Sequence, residues 1–188
     1  MNNSITIALL VGTVRAKRES IKAAHFVADY AKNYPNVELI FVDPQELMLI
    51  DEGEDVKDPR YSEITAKADA FIIVTPEYNH GYPSSLKRML DSEYDNYKHK
   101  PVALVGASSG SWGGVRVCEA LLPVCHRTGM VNIQTEMYFP KIQDTFDENG
   151  QIKPDLAERY DKNARALYEE LVWFAKLLKP ARQSSFEN

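Results

Sequence analysis

The sequence predicts a doubly wound α/β fold built on a five-stranded parallel sheet in the order 2-1-3-4-5, with helices on both faces. Three observations carry this. Short apolar runs such as Ile5 to Val11, Ala70 to Thr75 and Val102 to Ala107 do not alternate with polar residues, as expected of strands covered on both sides. Segments with helical periodicity separate them, which points to βαβ units. The chain has 188 residues, 44% hydrophobic and 26% charged, which suits one globular domain over residues 1–182 and leaves 183–188 as a frayed tail.

The elements follow in order. Ile5 to Val11 is the first strand, and the polar, basic stretch Gly12 to Glu19 leaves it. A helix starts at Ser20 with Ile21, Ala24, Ala28 and Ala31 on one face, and Pro35-Asn36 ends it. Val37 to Val42 is the second strand, and Gln45 to Asp58 is an acidic loop. A short helix covers Tyr61 to Lys67, before the third strand at Ala70 to Thr75. The loop Pro76 to Pro83 is rich in turn residues, and Ser84 or Ser85 is expected to cap a helix running to Leu90. Val102 to Ala107 is the fourth strand, followed by the loop Ser108 to Gly114 and a helix from Val115 to Thr128 that ends at Gly129. The fifth strand lies within Val131 to Phe139. The last helix, Asp155 to Leu178, shows the stripe Leu156, Tyr160, Ala164, Leu167, Leu171, Phe174 and Leu178, and Pro180 is expected to stop it.

Composition narrows the function. The 22 Lys+Arg against 27 Asp+Glu give a net charge of −5, so no basic face for nucleic acid is expected. No run approaches the roughly 18 apolar residues of a membrane span. The start Met-Asn-Asn-Ser has neither a basic leader segment nor a small-residue cleavage site, so a cytoplasmic protein is expected. Cys118 and Cys125 are seven residues apart, about 10 Å along a helix axis, which is too far for a disulfide. His25, His80, His99 and His126 form no ligand pair, so no metal site is expected.

In the 2-1-3-4-5 order, ligands bind outside the carboxyl ends of the strands, at the switch point between strands 1 and 3. Three loops meet there. The first, Gly12 to Ser20, carries Thr13, Arg15, Lys17, Arg18 and Ser20 beside a helix N-terminus. It lacks the Walker and GxGxxG glycines, but it suits a single phosphate group; read alone, it is equally a solvated basic turn. The second, Thr75 to Pro83, offers Tyr78 and Tyr82 to a planar ring and Asn79 to polar ring edges. The third, Ser108 to Gly114, is small enough for a flat ligand to approach its backbone, although alone it reads better as a flexible Gly/Ser turn. Together they suit a planar ring system on a chain ending in one phosphate, and FMN is such a ligand.

The motifs within these loops resemble the NADPH-dependent FMN reductase family, which includes chromate, quinone and azo-dye reductases of flavodoxin-like fold. The resemblance rests on Gly12-Thr13-Val14-Arg15, Pro76-Glu77-Tyr78-Asn79, the stretch Tyr82 to Lys87 and Gly113-Gly114. It extends from the first strand to Leu171-Val172-Trp173-Phe174-Ala175. By this resemblance Thr13, Arg15, Arg18 and Ser20 hold the FMN phosphate. Pro76, Glu77, Tyr78 and Asn79 line the ribityl chain and isoalloxazine. Ser108, Gly110, Gly113 and Gly114 close the other side of the ring. Thr13 stands where many members have Ser, and Arg88 stands where many have Asn. The resemblance further implies a homodimer or homotetramer, with the acidic loop near a neighbouring subunit's flavin.

Ser84 and Ser85 lack the GxSxG elbow of a nucleophile. The cluster Asp51, Glu52, Glu54 and Asp55 reads as a solvated loop, and His80 as a turn residue. Trp173 reads as packing or interface. The expected function is transfer of electrons from NADPH or NADH through FMN to a quinone, azo compound, metal oxyanion or free flavin. No catalytic side chain is named, because the cofactor carries the chemistry. The alternatives are a flavodoxin-type electron carrier and an FMN-binding redox sensor.

Overall fold

A computed structural model describes residues 4–48 and 57–184. The expected acidic cluster at Asp51 to Asp55 lies outside the described residues. The strands are β1 (Ile5–Val11), β2 (Val37–Val42), β3 (Ala70–Pro76), β4 (Pro101–Ala107), β5 (Val131–Asn132) and β6 (Met137–Phe139). The helices are α1 (Ser20–Tyr30), α2 (Pro59–Lys67), α3 (Ser84–Asp91), α4 (Val115–Arg127), α5 (Ile142–Thr145) and α6 (Pro154–Ser184). All strands run parallel in the order β2-β1-β3-β4-β5, with β6 also on β4.

The continuous apolar runs are explained by the two cores. Ile5, Ile7, Leu9 and Val11 point to the layer of α1 and α6, while Ala8 and Leu10 point to the layer of α2, α3 and α4. A strand sandwiched this way has no solvent face on which a polar residue would be favoured.

The fifth strand is split. β5 pairs with Pro101 and Val102, and β6 pairs with Val105 to Ala107. Between them the amides of Gln134 and Thr135 leave the ladder and donate to the Glu170 carboxylate of α6, at 3.1 and 2.8 Å.

Three helix boundaries differ from expectation. α2 starts at Pro59, because Asp58 caps it by accepting from the amides of Arg60 and Tyr61. α3 is preceded by Pro83 and has no side-chain cap. Ser85 instead donates to the Gly12 carbonyl at 3.1 Å and ties α3 to the exit of β1. α6 continues through Pro180 to Ser184. Its last turns are held from outside. Lys179 and Arg182 grip the two oxygens of Asp69 at 2.8 and 3.0 Å, and Lys179 also donates to the Ser4 carbonyl. These contacts offset the helix hydrogen bond that Pro180 cannot make.

Asp58 also accepts from the Met48 amide at 2.8 Å and joins the two flanks of segment 49–56. The Arg60 guanidinium, aided by the backbone amides, holds its carboxyl down to about 2. This stabilisation is fully present above the ordinary carboxylate pKa of about 3.9 and is lost as pH falls towards 2. Asp58→Ala is expected to cost about 0.5–2 kcal/mol at pH 7. Urea midpoints at pH 7 and pH 3 check this, and the gap between native and variant narrows at the lower pH.

Candidate functional site

Each loop at the carboxyl edge of the sheet has a local reason for its shape. Gly12 leaves β1 against β3, where a Cβ would lie 2.3 Å from Thr75 Oγ1, so only glycine passes. Thr13 is buried, and its hydroxyl meets the Tyr78 hydroxyl at 2.9 Å. The Arg15 guanidinium stacks on the Tyr78 ring, 3.9 Å from its centroid. The first two loops are therefore fastened to each other.

Arg18, expected at the phosphate, is taken up by the protein. It makes a two-point contact with Asp43 and donates to the Thr13 carbonyl at 2.6 Å and to Gln45 at 3.2 Å. Gln45 in turn donates to the Val14 carbonyl at 3.0 Å. Asp43 and Gln45, at the exit of β2, are thus braces of the first loop that sequence reasoning missed. Ser20 opens α1. It is 4% exposed, and its hydroxyl has no hydrogen-bond partner.

In the second loop, Tyr78 and Gly81 exchange backbone hydrogen bonds of 2.9 Å in both directions. Asn79 and His80 between them have φ of 50° and 66°, the paired positive values of a tight I′ turn. Strain at two non-glycine residues next to a cleft is a mark of a shaped site. The Glu77 amide donates to the Ala107 carbonyl at 2.8 Å, which fixes this loop to the end of β4. One carboxylate oxygen of Glu77 lies 3.7 Å from Arg116, and the other is buried without a partner.

The third loop is tied to the segment after β6. Ser108 and Phe139, Gly110 and Lys141, and Ser108 and Ile142 are joined by backbone bonds of 3.0–3.1 Å. Gly113 and Gly114 have φ of 66° and 89°. A Cβ on Gly114 would meet Ala107 N at 2.5 Å, and one on Gly113 would meet Pro140 N at 2.9 Å. These glycines let α4 start directly against β4 and the segment after β6.

A cavity of about 430 Å³ lies between the loops. Of the expected residues, Arg15, Arg18, Ser20, Pro76, Glu77, Tyr78 and Ser108 line it. Thr13, Asn79, Gly110, Gly113 and Gly114 do not; they shape the loops from behind. Lys17, Glu19, Ala107 and Ser109 complete the near walls, and Ile142 and Gln143 come from outside the three expected loops. Nothing local in the sequence marks Ile142 and Gln143. They arrive because the chain after β6 folds back onto Ser108. A larger hollow of about 600 Å³ lies along α1 and α6, away from these loops. The smaller one lies among the three loops, and two of its lining residues, Ser20 and Glu77, each hold a buried oxygen with no partner among the described residues.

The residues lining the cavity have the chemistry to meet both parts of an FMN-like ligand. The Ser20 hydroxyl, the amides at the start of α1 and the cations Arg15 and Lys17 suit a phosphate. Glu77 suits a ligand N–H or hydroxyl donor. Among the described residues no group of His, Cys, Asp and Glu is arranged to hold a metal ion. Cys118 and Cys125 are buried free thiols, and burial pushes both pKa values up, that of Cys125 to about 12. They are protonated and inert at neutral pH.

A doubly wound sheet with a phosphate-ready cleft at its switch point defines the flavodoxin-like class. Residues 5–144 match the family described as NADPH-dependent FMN reductase, and the chain belongs to that family. It is an NAD(P)H-dependent reductase of the FMN and quinone reductase type. It is 30% identical over 167 residues to a 2-hydroxy-1,4-benzoquinone reductase of Burkholderia sp, covering 84% of this chain and 90% of the other. It is 28% identical over 185 residues to an NAD(P)H-dependent FMN reductase of Schizosaccharomyces pombe, covering 92% and 90%. The flavoenzyme NAD(P)H:acceptor oxidoreductase FerB of Paracoccus denitrificans superposes with a TM-score of 0.72 at 20% identity, over 89% of this chain and 97% of that one. An archaeal flavodoxin superposes at 0.58 and 12% identity, over 93% and 99%. The two structures share the fold. Among the described residues no helix is long and apolar enough to cross a membrane.

Proposed function

We propose that the protein binds FMN in the 430 Å³ cavity and uses it to pass electrons from NADPH or NADH to a small acceptor, a quinone first among them. The observation that carries this reading is that Ser20 and Glu77, on two loops lining one cavity, each hold a buried oxygen without a partner among the described residues. Buried polar atoms are rarely left without partners in a finished fold, and a bound ligand supplies them. Bound there, FMN would supply the two-electron chemistry that links a reduced nicotinamide to the acceptor. The chain's own residues do the rest. Ser20, Arg15 and the first amides of α1 hold the phosphate, with Thr13 and Arg18 setting the loop behind them. Pro76, Glu77 and Tyr78 line the ribityl and ring, and Asn79 gives their turn its shape. Ser108 faces the ring from the third loop, and Gly110, Gly113 and Gly114 place that loop.

Two further parts of the reading concern setting. The buried free thiols support a reducing, cytoplasmic location. Trp173 and Leu177, exposed one turn apart on α6, support a homodimer or homotetramer.

The decisive titration compares FMN with riboflavin. FMN is expected to bind far more tightly, and equal affinities would remove the phosphate assignment. Arg15→Ala is expected to weaken FMN roughly ten- to a hundredfold, the value of a charge-assisted hydrogen bond. Lys17→Ala is expected to cost less, because its ammonium is a flexible point charge.

Kinetics separate this reading from the electron carrier. One cavity implies that nicotinamide and acceptor use the same face in turn. Double-reciprocal plots for NADPH and a small quinone are expected to be parallel, with inhibition by high quinone. Intersecting lines would require two separate substrate sites.

A further inference from the structure

Trp112 is 65% exposed on the loop between β4 and α4. So large an indole at the surface contributes little to the core. Arg116, on the first turn of α4, lies over it with the guanidinium carbon 5.7 Å from the ring centroid. The Arg116 side chain is 45% exposed and makes no hydrogen bond among the described residues. Its ionic neighbour among the described residues, Glu77 Oε1, is 3.7 Å away, on a side chain only 10% exposed. Glu77 lines the cavity, and so do Ser108 and Ser109 at the start of the Trp112 loop. The indole and the guanidinium over it therefore adjoin the cavity from outside.

We propose that Trp112 and Arg116 form the subsite for the adenosine end of the nicotinamide co-substrate, with Arg116 reading a 2′-phosphate. This rests on the FMN reading above. A dinucleotide whose nicotinamide enters the cavity carries a second planar ring and its phosphates outside. That half needs an aromatic surface for the purine and a cation for the phosphate, and these two residues supply both. The five donors of Arg116 are not saturated by Glu77, so donors remain for a phosphate without loss of that contact. Trp112 serves NADPH and NADH alike. Arg116 favours NADPH.

The test uses FMN-loaded protein, so that the cavity itself is filled. Adenosine 2′,5′-bisphosphate and adenosine 5′-monophosphate are titrated by calorimetry, with visible absorption recording FMN content throughout. The bisphosphate is expected to bind more tightly. Arg116→Ala is expected to abolish that difference, a loss of roughly ten- to a hundredfold for the bisphosphate. Arg116→Lys retains part of it, because the charge remains. Trp112→Ala is expected to weaken both nucleotides by a similar factor, roughly five- to a hundredfold. The KM for NADPH rises in both alanine variants, and that for NADH rises chiefly in Trp112→Ala. Equal binding of the two nucleotides to the native protein, or unchanged binding in Trp112→Ala with FMN in place, overturns the subsite alone. A native chain that takes up no FMN overturns the functional reading beneath it.

Discussion

Gly114→Ala is expected to lower the melting temperature by roughly 5–20 °C and to weaken FMN binding with it. Two costs combine. At φ 89° any side chain occupies the left-handed region, at about 1–2 kcal/mol. The added Cβ would also stand 2.5 Å from Ala107 N and 2.8 Å from the backbone of Gly106, so β4 and the start of α4 must separate. Overpacking of this kind typically adds about 1–3 kcal/mol. The comparison is Gly150→Ala. Gly150 has φ 75°, and nothing lies within 4 Å of its would-be Cβ. That variant bears the conformational cost without the clash, so the difference between the two melting curves isolates the steric part. Equal losses in the two variants would mean that β4 and α4 separate at little cost.

Breaking the Arg18–Asp43 pair is expected to have the second large effect, and from either side. The two side chains are 9% and 14% exposed, so removing one leaves the other charged and largely desolvated. Such losses run to about 3–5 kcal/mol for fully buried pairs, and somewhat less is expected here. The informative variant is Asp43→Ala. If Arg18 contacted the phosphate directly, freeing it from Asp43 would tighten FMN. The geometry predicts the opposite. Arg18 holds the Thr13 carbonyl, and Gln45 holds that of Val14, so loss of Asp43 loosens the loop that presents Arg15 and Ser20. FMN affinity is expected to fall roughly tenfold in Arg18→Ala and in Asp43→Ala, and the double variant is expected to be little worse than either. Tighter FMN in Asp43→Ala would return Arg18 to the ligand.

The contrast between Arg15 and Arg18 shows what was legible in the sequence. The sheet order could be read because unbroken apolar runs leave only a strand buried on both faces, and the helical segments between them force parallel crossovers. The three loops followed from the topology. That Arg18 is braced within the protein did not, because its partner Asp43 lies 25 residues away, at the end of another strand. Ile142 and Gln143 were hidden for the same reason. The small size of the third-loop glycines is legible in the sequence, but what packs against them is not. Their neighbours are the backbones of Gly106, Ala107 and Pro140. Pro180 misled because its rule is local, whereas Asp69 restrains the helix from across the chain.

That last contact fixes a direction. Asp69, Ser4 and His99 stand just before β3, β1 and β4, and Lys179 and Arg182 bind there. The three loops of the candidate site stand at the other ends of the same parallel strands. A tether attached beyond Ser184 therefore starts from the side of the molecule turned away from the cavity. Anchored to an electrode or a bead by that end, the protein would present its open mouth to the solution, and soluble nicotinamide and quinone would reach it without crossing the support.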